Sequence, residues 1–279
     1  MPHTEPVARR MFDLTEPICL VNFFADEPNE EMAALGFRGY WDGYFAGRSA
    51  PLGQVPAEVV HATFYNFGPG EVARHIPNVW KKTTPEAAHA ARQRGCVAGL
   101  RRILGDRVET PELARAAALL ARASTSAPTD GRVMYAGLRT LPMPEDPIER
   151  LWHAANMLRE HRGDGHIAAL VSEQIGGLEA HVLCALDAGI YPAESFGRIH
   201  HLPPELLASV MDGLRDRGLL DASGHFTSEG RACKDRIEAV TDRAAEAPYE
   251  ALDAQELEEL ATLLEPIATT LQAEWSHES

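Results

Sequence analysis

The sequence predicts a mainly α-helical fold. Apolar residues recur three and four positions apart along most of the chain, which is the spacing of one helix face. Prolines and glycines separate these segments, and some segments begin with residue types that start helices, such as Thr110 followed by Pro111. One short strand is expected, at residues 225–227.

Size and composition limit the function classes. The 279 residues accommodate two domains of ordinary size, and a hydrophobic fraction of 45% is normal for a chain that buries a core. The 26 Lys and Arg against 41 Asp and Glu leave a formal charge of −15, which repels nucleic acid and anionic membranes. Four scattered cysteines predict free thiols, and no segment has the roughly 18 apolar residues of a membrane span. We expect a cytoplasmic protein with neither nucleic acid nor membrane as its default partner.

The first elements of the chain are apolar and aromatic. Residues 11–24 predict a helix that Pro17 breaks near its middle. Residues 37–48 predict a glycine-rich helix with an aromatic stripe that ends in an arginine. Such a stripe forms either part of the core or the wall of a ligand site, and the arginine keeps the second interpretation open. The stripe consists of Phe37, Tyr40, Trp41, Tyr44 and Arg48.

A second group of polar residues follows. Residues 56–67 predict a helix with Tyr65 and Asn66 at its end, and residues 71–79 predict a short helix that carries Arg74. These side chains either form a solvated face or contribute to a site for an anion.

Ala-rich helices lead to the middle of the chain. Residues 85–104 and 110–123 predict two such helices, residues 124–131 predict a loop, and residues 142–147 lead into the next helix. We assign these elements to an N-terminal helical domain over residues 1–145.

The densest group of ionisable side chains lies in residues 158–170, L-R-E-H-R-G-D-G-H-I-A-A-L, where eight consecutive residues include six of them. We expect Gly163 and Gly165 to interrupt the helix and Asp164 to cap a new one. The N–H groups of such a helix start, beside two arginines, can hold a carboxylate or a phosphate. The alternatives are an ion pair of Arg162 with Asp164 that only joins two helices, and a metal site.

The C-terminal half has the element order of a winged helix. After a helix at 177–188, residues 202–220 predict a helix that ends in R-G-L-L, followed by a tight turn, the strand and a new helix from Ser228. These residues resemble MarR-type regulators, whose pattern is an apolar helix, R-G-L-[LV], a wing and L-T-x-x-G-R. The resemblance covers roughly residues 147–275 and implies a winged-helix domain, which we assign to residues 146–279. The matching positions are residues 217–220, Phe226, Thr227, Gly230 and Arg231.

The whole chain also resembles a family of actinobacterial proteins described only as helix-turn-helix. The blocks R-G-Y-W-x-G-Y-F, A-T-F-Y-N-F, L-R-E-H-R-G-D-G-H-I-A-A-L and I-E-A-V-T-D-R occur here in the order of that family. This resemblance implies a fold and supplies no activity.

The surface with which a MarR-type regulator reads DNA is acidic in this chain. Base and phosphate contacts need Arg, Lys, Ser or Thr at the start of the recognition helix and a basic wing. Prolines and carboxylates stand there instead, so we expect a scaffold that has lost DNA reading. One basic cluster, Arg198 with His200 and His201, favours the opposite interpretation. The positions that depart from the MarR-type pattern are Pro203, Pro204, Glu205, Asp212, Asp216 and Asp221.

Two long helices are expected at the C-terminus, over residues 228–245 and 254–275. The second has an apolar stripe that favours pairing. Either this stripe is buried in a homodimer, or the chain contains an internal duplication in which residues 127–158 and 240–267 form a pseudo-dimer. The stripe consists of Leu257, Leu260, Leu264, Ile267 and Leu271.

Together these patterns predict a small-molecule-binding protein with a pocket between two domains. No nucleophile elbow, Walker A or dinucleotide motif occurs, so nucleotide-driven chemistry is not expected. The first hypothesis is an enzyme of secondary metabolism that takes an anionic or aromatic small molecule, with reaction class and cofactor unassigned. The predicted site has Asp164 and His166 as an acid/base pair, has Tyr44, Arg48, Tyr65, Asn66, Arg74, Arg159 and Arg162 as ligand-binding residues, and includes no assigned metal ligand.

Three alternatives stay open. A ligand-responsive regulator of MarR type would use the same pocket as an effector site, and a binding or sequestering protein would use it without chemistry. A metal- or haem-binding protein would use His61, His161 or His166 beside the aromatic stripe.

Overall fold

A computed structural model describes residues 6–192 and 202–276, most of which are helical. The fold is therefore mainly α, as the sequence predicts. Within these two ranges the strand pairing is limited to one isolated antiparallel bridge, between Leu220 and Phe226 at the predicted strand. The α-helices are α1 (Val7–Phe24), α2 (Glu27–Ala34), α3 (Tyr40–Ser49), α4 (Ala57–Phe64), α5 (Pro85–Leu104), α6 (Pro111–Ser126), α7 (Val133–Arg139), α8 (Pro147–Ser172), α9 (Gly177–Asp187), α10 (Pro204–Asp216), α11 (Ser228–Ala244) and α12 (Ala254–Ser276).

Capping side chains explain where several helices begin. The hydroxyls of Thr84, Thr110 and Thr227 accept backbone N–H groups at the starts of α5, α6 and α11. Asp146 accepts two N–H groups at the start of α8. In α5, α6 and α8 a proline follows the cap, where no intrahelical partner exists for its missing N–H. The predicted starts of these helices are confirmed.

The longest helix, α8, is the centre of the fold. It packs against α1, α5, α6, α7 and α11, and its residues Leu151, Trp152 and Ala155 are fully buried. The same core includes Met11 of α1 and Leu120 of α6. Burial of a large apolar side chain contributes about 2 kcal/mol to stability, so this core holds the surrounding helices on α8. None of the helices in the described ranges is long and apolar enough to cross a membrane.

The apolar stripe of α12 belongs to this core. Leu260, Leu264 and Leu271 are buried together with residues of α1 and α6 in one chain. The stripe that favours a homodimer is thus already covered, so the structure does not support pairing of two copies through it. The core also crosses the boundary predicted between residues 145 and 146. The division into two domains and the internal duplication stay predictions.

Two smaller apolar clusters belong to the two halves of the chain. One includes Phe45 and Phe64 with neighbours from α2 to α5. The other includes Leu183, Leu214 and Ile237, from α9, α10 and α11. Elements of both clusters line the cavity at the candidate site.

Two helices continue where the sequence predicts a break. α1 runs through Pro17, and α8 runs through Gly163 and Gly165. Inside a helix a proline costs about 3 kcal/mol and a glycine about 1 kcal/mol relative to Ala. In both helices residues before and after the predicted break are buried. Tertiary packing on both sides therefore offsets the local cost.

The predicted short helix over residues 71–79 is also wrong. Two 3-10 turns, Val72–Arg74 and Asn78–Lys81, occupy this region. Pro77 stands between them and has no N–H with which to continue a helix.

Candidate functional site

A cavity of about 980 Å³ lies where α1, α3, α4 and α8 meet α9 and α11. Its lining includes an aromatic wall and two groups of charged side chains. The aromatic wall consists of Phe23, Tyr40, Trp41, Tyr44, Phe64 and Tyr65.

Glycines in α3 allow the aromatic wall to form. A Cβ atom at Gly43 would lie 2.9 Å from the side chain of Met32, and one at Gly47 would lie 2.7 Å from it. Glycine thus lets α2 approach this face of α3, while the tyrosines of α3 line the cavity. Tyr44 contacts Phe23 at 6.3 Å between ring centroids.

The first charged group, here called the Glu160 group, consists of Glu16, Arg48, Arg159 and Glu160. Arg48 donates to Glu160 from Nε and Nη2 at 3.4 and 3.3 Å, and from Nη1 to the Tyr44 hydroxyl at 3.0 Å. Arg159 donates to Glu16 at 2.8 and 3.1 Å and lies 3.6 Å from Glu160. Burial raises the pKa of Glu160, but Arg48 and Arg159 more than offset this effect and leave the pKa below its ordinary value. Glu160 is therefore ionised at neutral pH.

The second charged group, here called the Glu238 group, joins α1, α8, α9 and α11. Arg162 donates from Nη2 to Glu238 and to Asp242, both at 3.0 Å. Arg9 donates from Nε to Asp242 at 3.2 Å and also pairs with Glu238. Lys234 pairs with Glu238 and lies 3.2 Å from a carboxylate oxygen of Asp187. Burial acts to raise the pKa of Glu238, but its hydrogen bonds with Lys234 and Arg9 lower it well below the ordinary range. The group consists of Arg9, Arg162, Asp187, Lys234, Glu238 and Asp242.

Asp164 caps a helix, but not the predicted one. Its carboxylate accepts the backbone N–H of Tyr135 at 3.0 Å and that of Met134 at 3.4 Å, so it caps the start of α7. Burial raises its pKa to about 6, although these N–H groups act in the opposite direction.

His166 has a different partner. Its Nδ1 lies 2.9 Å from the hydroxyl oxygen of Thr241, whose single hydrogen is donated to the carbonyl of Ile237 at 2.7 Å. Nδ1 must therefore carry a proton, and Nε2 is left as an acceptor. Burial lowers the pKa of His166 to about 4, so the imidazole is neutral at neutral pH.

The predicted acid/base pair of Asp164 and His166 is not formed. Both residues line the cavity, but their partners differ and no hydrogen bond joins them in the described structure. Residues two positions apart on a continuous helix point about 200° apart, and α8 is continuous. The alternative pair of Arg162 with Asp164 is not formed either, because Arg162 bonds to the Glu238 group.

A family model described as the helix-turn-helix family matches residues 8–276. The chain belongs to the helix-turn-helix family. No curated protein and no solved structure matches it. The match covers every cavity residue of this helix-turn-helix protein. The winged-helix arrangement of MarR type stays a prediction.

Most of the predicted site residues of this helix-turn-helix protein meet at the cavity. Arg74 does not, because it is exposed on the turn Val72–Arg74, where Val72 and Ile76 take the inward positions. The predicted residues that line the cavity are Tyr44, Arg48, Tyr65, Asn66, Arg159, Arg162, Asp164 and His166.

Tyr65 marks the contact between the two halves of the cavity. Its backbone φ is +64°, which is uncommon outside glycine. Its hydroxyl donates to the carbonyl of Ile175 at 2.5 Å. A Cβ atom at Gly177 would lie 1.9 Å from the carbonyl oxygen of Tyr65. The start of α9 therefore packs directly on the backbone at the end of α4.

Sequence reasoning missed several charged residues of the cavity. Glu160 lies inside the ionisable stretch at residues 158–170, so its neighbours Arg159 and Arg162 were the sequence signal that could have identified it as a site residue. Arg9 and Glu238 are 229 positions apart, and no local pattern connects them. The missed cavity residues are Arg9, Glu16, Glu160, Asp187, Lys234 and Glu238.

The described residues offer limited support for a metal or haem. Among them, no three His, Cys, Asp or Glu side chains converge in a way that could hold a metal ion. Of the three histidines named for haem, His166 lines the cavity and His61 does not. His161 is buried with its ring 4.9 Å from that of Tyr135.

Proposed function

We propose that this helix-turn-helix protein binds a small organic molecule in the cavity and uses its predicted winged-helix domain, residues 146–279, as a scaffold. The observation that carries the proposal is the cavity itself, which combines an aromatic wall with two groups of placed charges. Its volume of about 980 Å³ falls within the roughly 300–1,000 Å³ of ligand pockets, which are typically apolar with a few polar anchors.

The charges of the cavity support binding better than turnover. Glu160 and Glu238 are ionised and fixed by arginines, which makes them weak proton acceptors. Asp164 and His166, the residues predicted for acid/base chemistry, have separate partners. The enzyme of secondary metabolism stays a prediction, and binding is the function that the geometry favours.

The surface of α10 supports the scaffold role. Glu205, Asp212 and Asp216 are exposed along this helix, where a DNA reader would face phosphates. Arg215 donates to Asp212 at 2.8 Å. Arg217 donates to Glu179 and to the carbonyls of residues 173 and 174. The predicted basic cluster of Arg198, His200 and His201 lies outside the described residues.

A variant that fills the cavity tests the proposal. Gly163 lines the cavity, and the closest atom to a Cβ placed there is 3.8 Å away, so Gly163→Phe projects a ring into open space. Ala168→Phe is the matched control, because Ala168 is exposed on the same helix and does not line the cavity. Wild-type protein and both variants are incubated with a bacterial metabolite extract, and native mass spectrometry detects the small molecules that stay bound.

We expect wild type and Ala168→Phe to retain the same molecule and Gly163→Phe to lose it. Equal retention by Gly163→Phe, or no retained molecule on folded wild type, would refute the proposal.

A ligand-responsive regulator is the second candidate. It is favoured by the lining residues of α9 and α11, such as Cys184 and Lys234, since α9 also packs against α10. Selection from a pool of random DNA duplexes at low salt checks this candidate. Enrichment of one sequence, lost on addition of the retained molecule, would favour the regulator over the scaffold.

A further inference from the structure

Among the described residues, the arginine behind the aromatic wall has no carboxylate partner. Arg92 of α5 is 5% exposed. It donates from Nε to the side-chain oxygen of Asn22 at 2.9 Å and from Nη2 to that of Asn156 at 3.4 Å. Its guanidinium also lies 5.4 Å from the ring centroid of Trp152. Within residues 6–192 and 202–276, no Asp or Glu forms an ion pair with it.

This guanidinium keeps its charge, since arginine does not lose a proton in proteins. Buried charges are normally paired, and a buried unpaired cation is costly. Burial lowers the pKa of Arg92, in contrast to Arg48 and Arg159, whose pKa values their carboxylate partners raise. Arg92 thus adds one uncompensated positive charge.

Arg92 lies directly behind the cavity. A space of about 20 Å³ separates it from the aromatic wall, and Tyr40 and Tyr44 line both this space and the cavity. The charged residues that influence Arg92 include Arg48, Arg159 and Glu160. A charge in such a buried position is poorly screened, so it acts on a ligand in the cavity without touching it.

The excess charge belongs to one side of the cavity. The Glu160 group has two cations and two carboxylates, so Arg92 leaves this side at +1. The Glu238 group has three cations, Arg9, Arg162 and Lys234, against three carboxylates, and is balanced. Arg231, which also pairs with Asp187, is exposed and therefore solvated. Asp164 also lines the cavity, and the charge of the half-buried Arg132 acts on it, so these two residues together add no net charge.

Donors for an anionic group are available beside the excess charge. Arg48 has five N–H groups, of which Nε, one on Nη1 and one on Nη2 are used, so two are left. The Tyr44 hydroxyl accepts from Arg48 and keeps its own hydrogen for donation. The Arg48 guanidinium lies 4.2 Å from the centroid of Phe64, next to the surface on which a flat ring would stack.

We infer that the cavity takes a planar aromatic molecule with a single negative charge, whose anionic group accepts hydrogen bonds from Arg48 and Tyr44. This inference rests on the proposed function and specifies its ligand class. A second negative charge would exceed the +1 of this side and face Glu16 and Glu160. A neutral ring would leave the charge of Arg92 uncompensated.

Three naphthalene probes with equal rings test the charge of the ligand. Calorimetric titration near neutral pH compares 2-naphthoate, 2-naphthamide and naphthalene-2,6-dicarboxylate, with charges of −1, 0 and −2. We expect the monoanion to bind at least about tenfold more tightly than the other two, which corresponds to one charge-assisted contact. Equal or tighter binding of the neutral or the dianionic probe would overturn the inference, and so would the absence of binding by all three. In each case the retention of a metabolite by wild type, and its loss in Gly163→Phe, still decides the proposed function separately.

Arg92→Met removes the uncompensated charge without changing the cavity lining. We expect the preference for the monoanion over the neutral probe to fall about tenfold, while the affinity for the neutral probe stays the same. Arg92→Lys, which keeps the charge, is the control and should retain the preference. An unchanged preference in folded Arg92→Met contradicts the inference.

A second variant serves if Arg92→Met does not fold. Glu16→Gln raises the charge of this side from +1 to +2, and its side chain is 19% exposed at the edge of the Glu160 group. We expect the dianion to gain about tenfold relative to the monoanion. No relative gain of the dianion would also overturn the inference.

Discussion

The Glu160 group and the Glu238 group face the same cavity but differ in how many partners each cation has. In the Glu238 group, Arg9 and Arg162 each contact two carboxylates, Glu238 and Asp242, and Lys234 contacts Glu238 and Asp187. In the Glu160 group, Arg159 also contacts two carboxylates, Glu16 and Glu160. Among the described residues, however, Arg48 has Glu160 as its single carboxylate partner and the Tyr44 hydroxyl as its other hydrogen-bond partner. The side with fewer partners is also the side with the excess charge of Arg92.

Burial increases this difference. The side chain of Glu160 is 4% exposed and that of Glu238 is 25% exposed. Water can therefore replace part of a lost contact at Glu238 but not at Glu160. We therefore expect the loss of stability on breaking a buried ion pair to depend on whether each cation keeps a second carboxylate and on access to water.

The largest effect is expected from removing the central carboxylate of each group. Glu160→Gln leaves Arg48 without a counter-charge, and breaking such a buried pair costs about 3–5 kcal/mol. Glu238→Gln leaves every cation of its group with one carboxylate, so we expect a loss of only about 1–2 kcal/mol. Denaturant unfolding at neutral pH measures both. Glu258→Gln is the control, because this side chain is 67% exposed and pairs with Arg10 at the surface, and it should change stability by less than about 1 kcal/mol. Equal losses for Glu160→Gln and Glu238→Gln would contradict the comparison.

Gly163 and Gly165 lie on the turn of α8 between the Glu160 group and the Glu238 group, and their surroundings differ. A Cβ atom at Gly165 would lie 2.2 Å from Nη1 of Arg132, which donates to the carbonyl of His161 at 2.7 Å, while its Nη2 donates to that of Ala244 at 2.7 Å. Gly165→Ala must displace this arginine, and we expect a loss of about 1–3 kcal/mol. Gly163→Ala, whose Cβ atom would lie 3.8 Å from Oε2 of Glu160 and clash with nothing, should gain up to about 1 kcal/mol because alanine favours the helix. Thermal unfolding of the two variants checks this prediction, and two changes of the same sign would contradict it.

The smallest effect concerns pH, because His166 lies against the Glu238 group and no histidine belongs to the Glu160 group. The pKa of His166 falls from 6.5 to about 4, chiefly through burial and then through Lys234, Arg162 and Arg9, although Glu238 acts to raise it. The unfolded chain binds a proton near pH 6.5 and the folded chain only near pH 4. Stability therefore declines as pH falls through this range and is independent of His166 above it.

His166→Gln should reduce the loss of stability between pH 7 and pH 4 by about 1 kcal/mol, less than the full pKa shift implies because the side chain is partly exposed. His153 and His161, with pKa values also near 4, account for part of the remaining slope. Denaturant unfolding at several pH values measures the slope. A slope unchanged by the substitution would argue against this role of His166.

The helices show how far local sequence reaches. The starts of α5, α6 and α11 follow from a threonine cap and the residues after it, which interact within one turn. The continuity of α8 does not follow, because the cost of two glycines is local and the burial that offsets it comes from other helices. Asp164 combines a local and a tertiary effect. Its residue type predicts that it caps a helix, but only the fold determines that this helix is α7.

By itself the sequence determined the mainly α class, the helix-turn-helix family, most helix bounds and a set of site residues most of which line the cavity. Helical periodicity and helix capping depend on residues within a few positions of one another in the chain, so both can be recognised before the fold is known. Only the tertiary structure decided the partners of the charges, because Arg9 with Glu238 and Arg48 with Glu160 are separated by 229 and 112 positions. It also decided that Arg92 has no ion-pair partner among the described residues, since the charge balance of a buried site depends on which helices close around it.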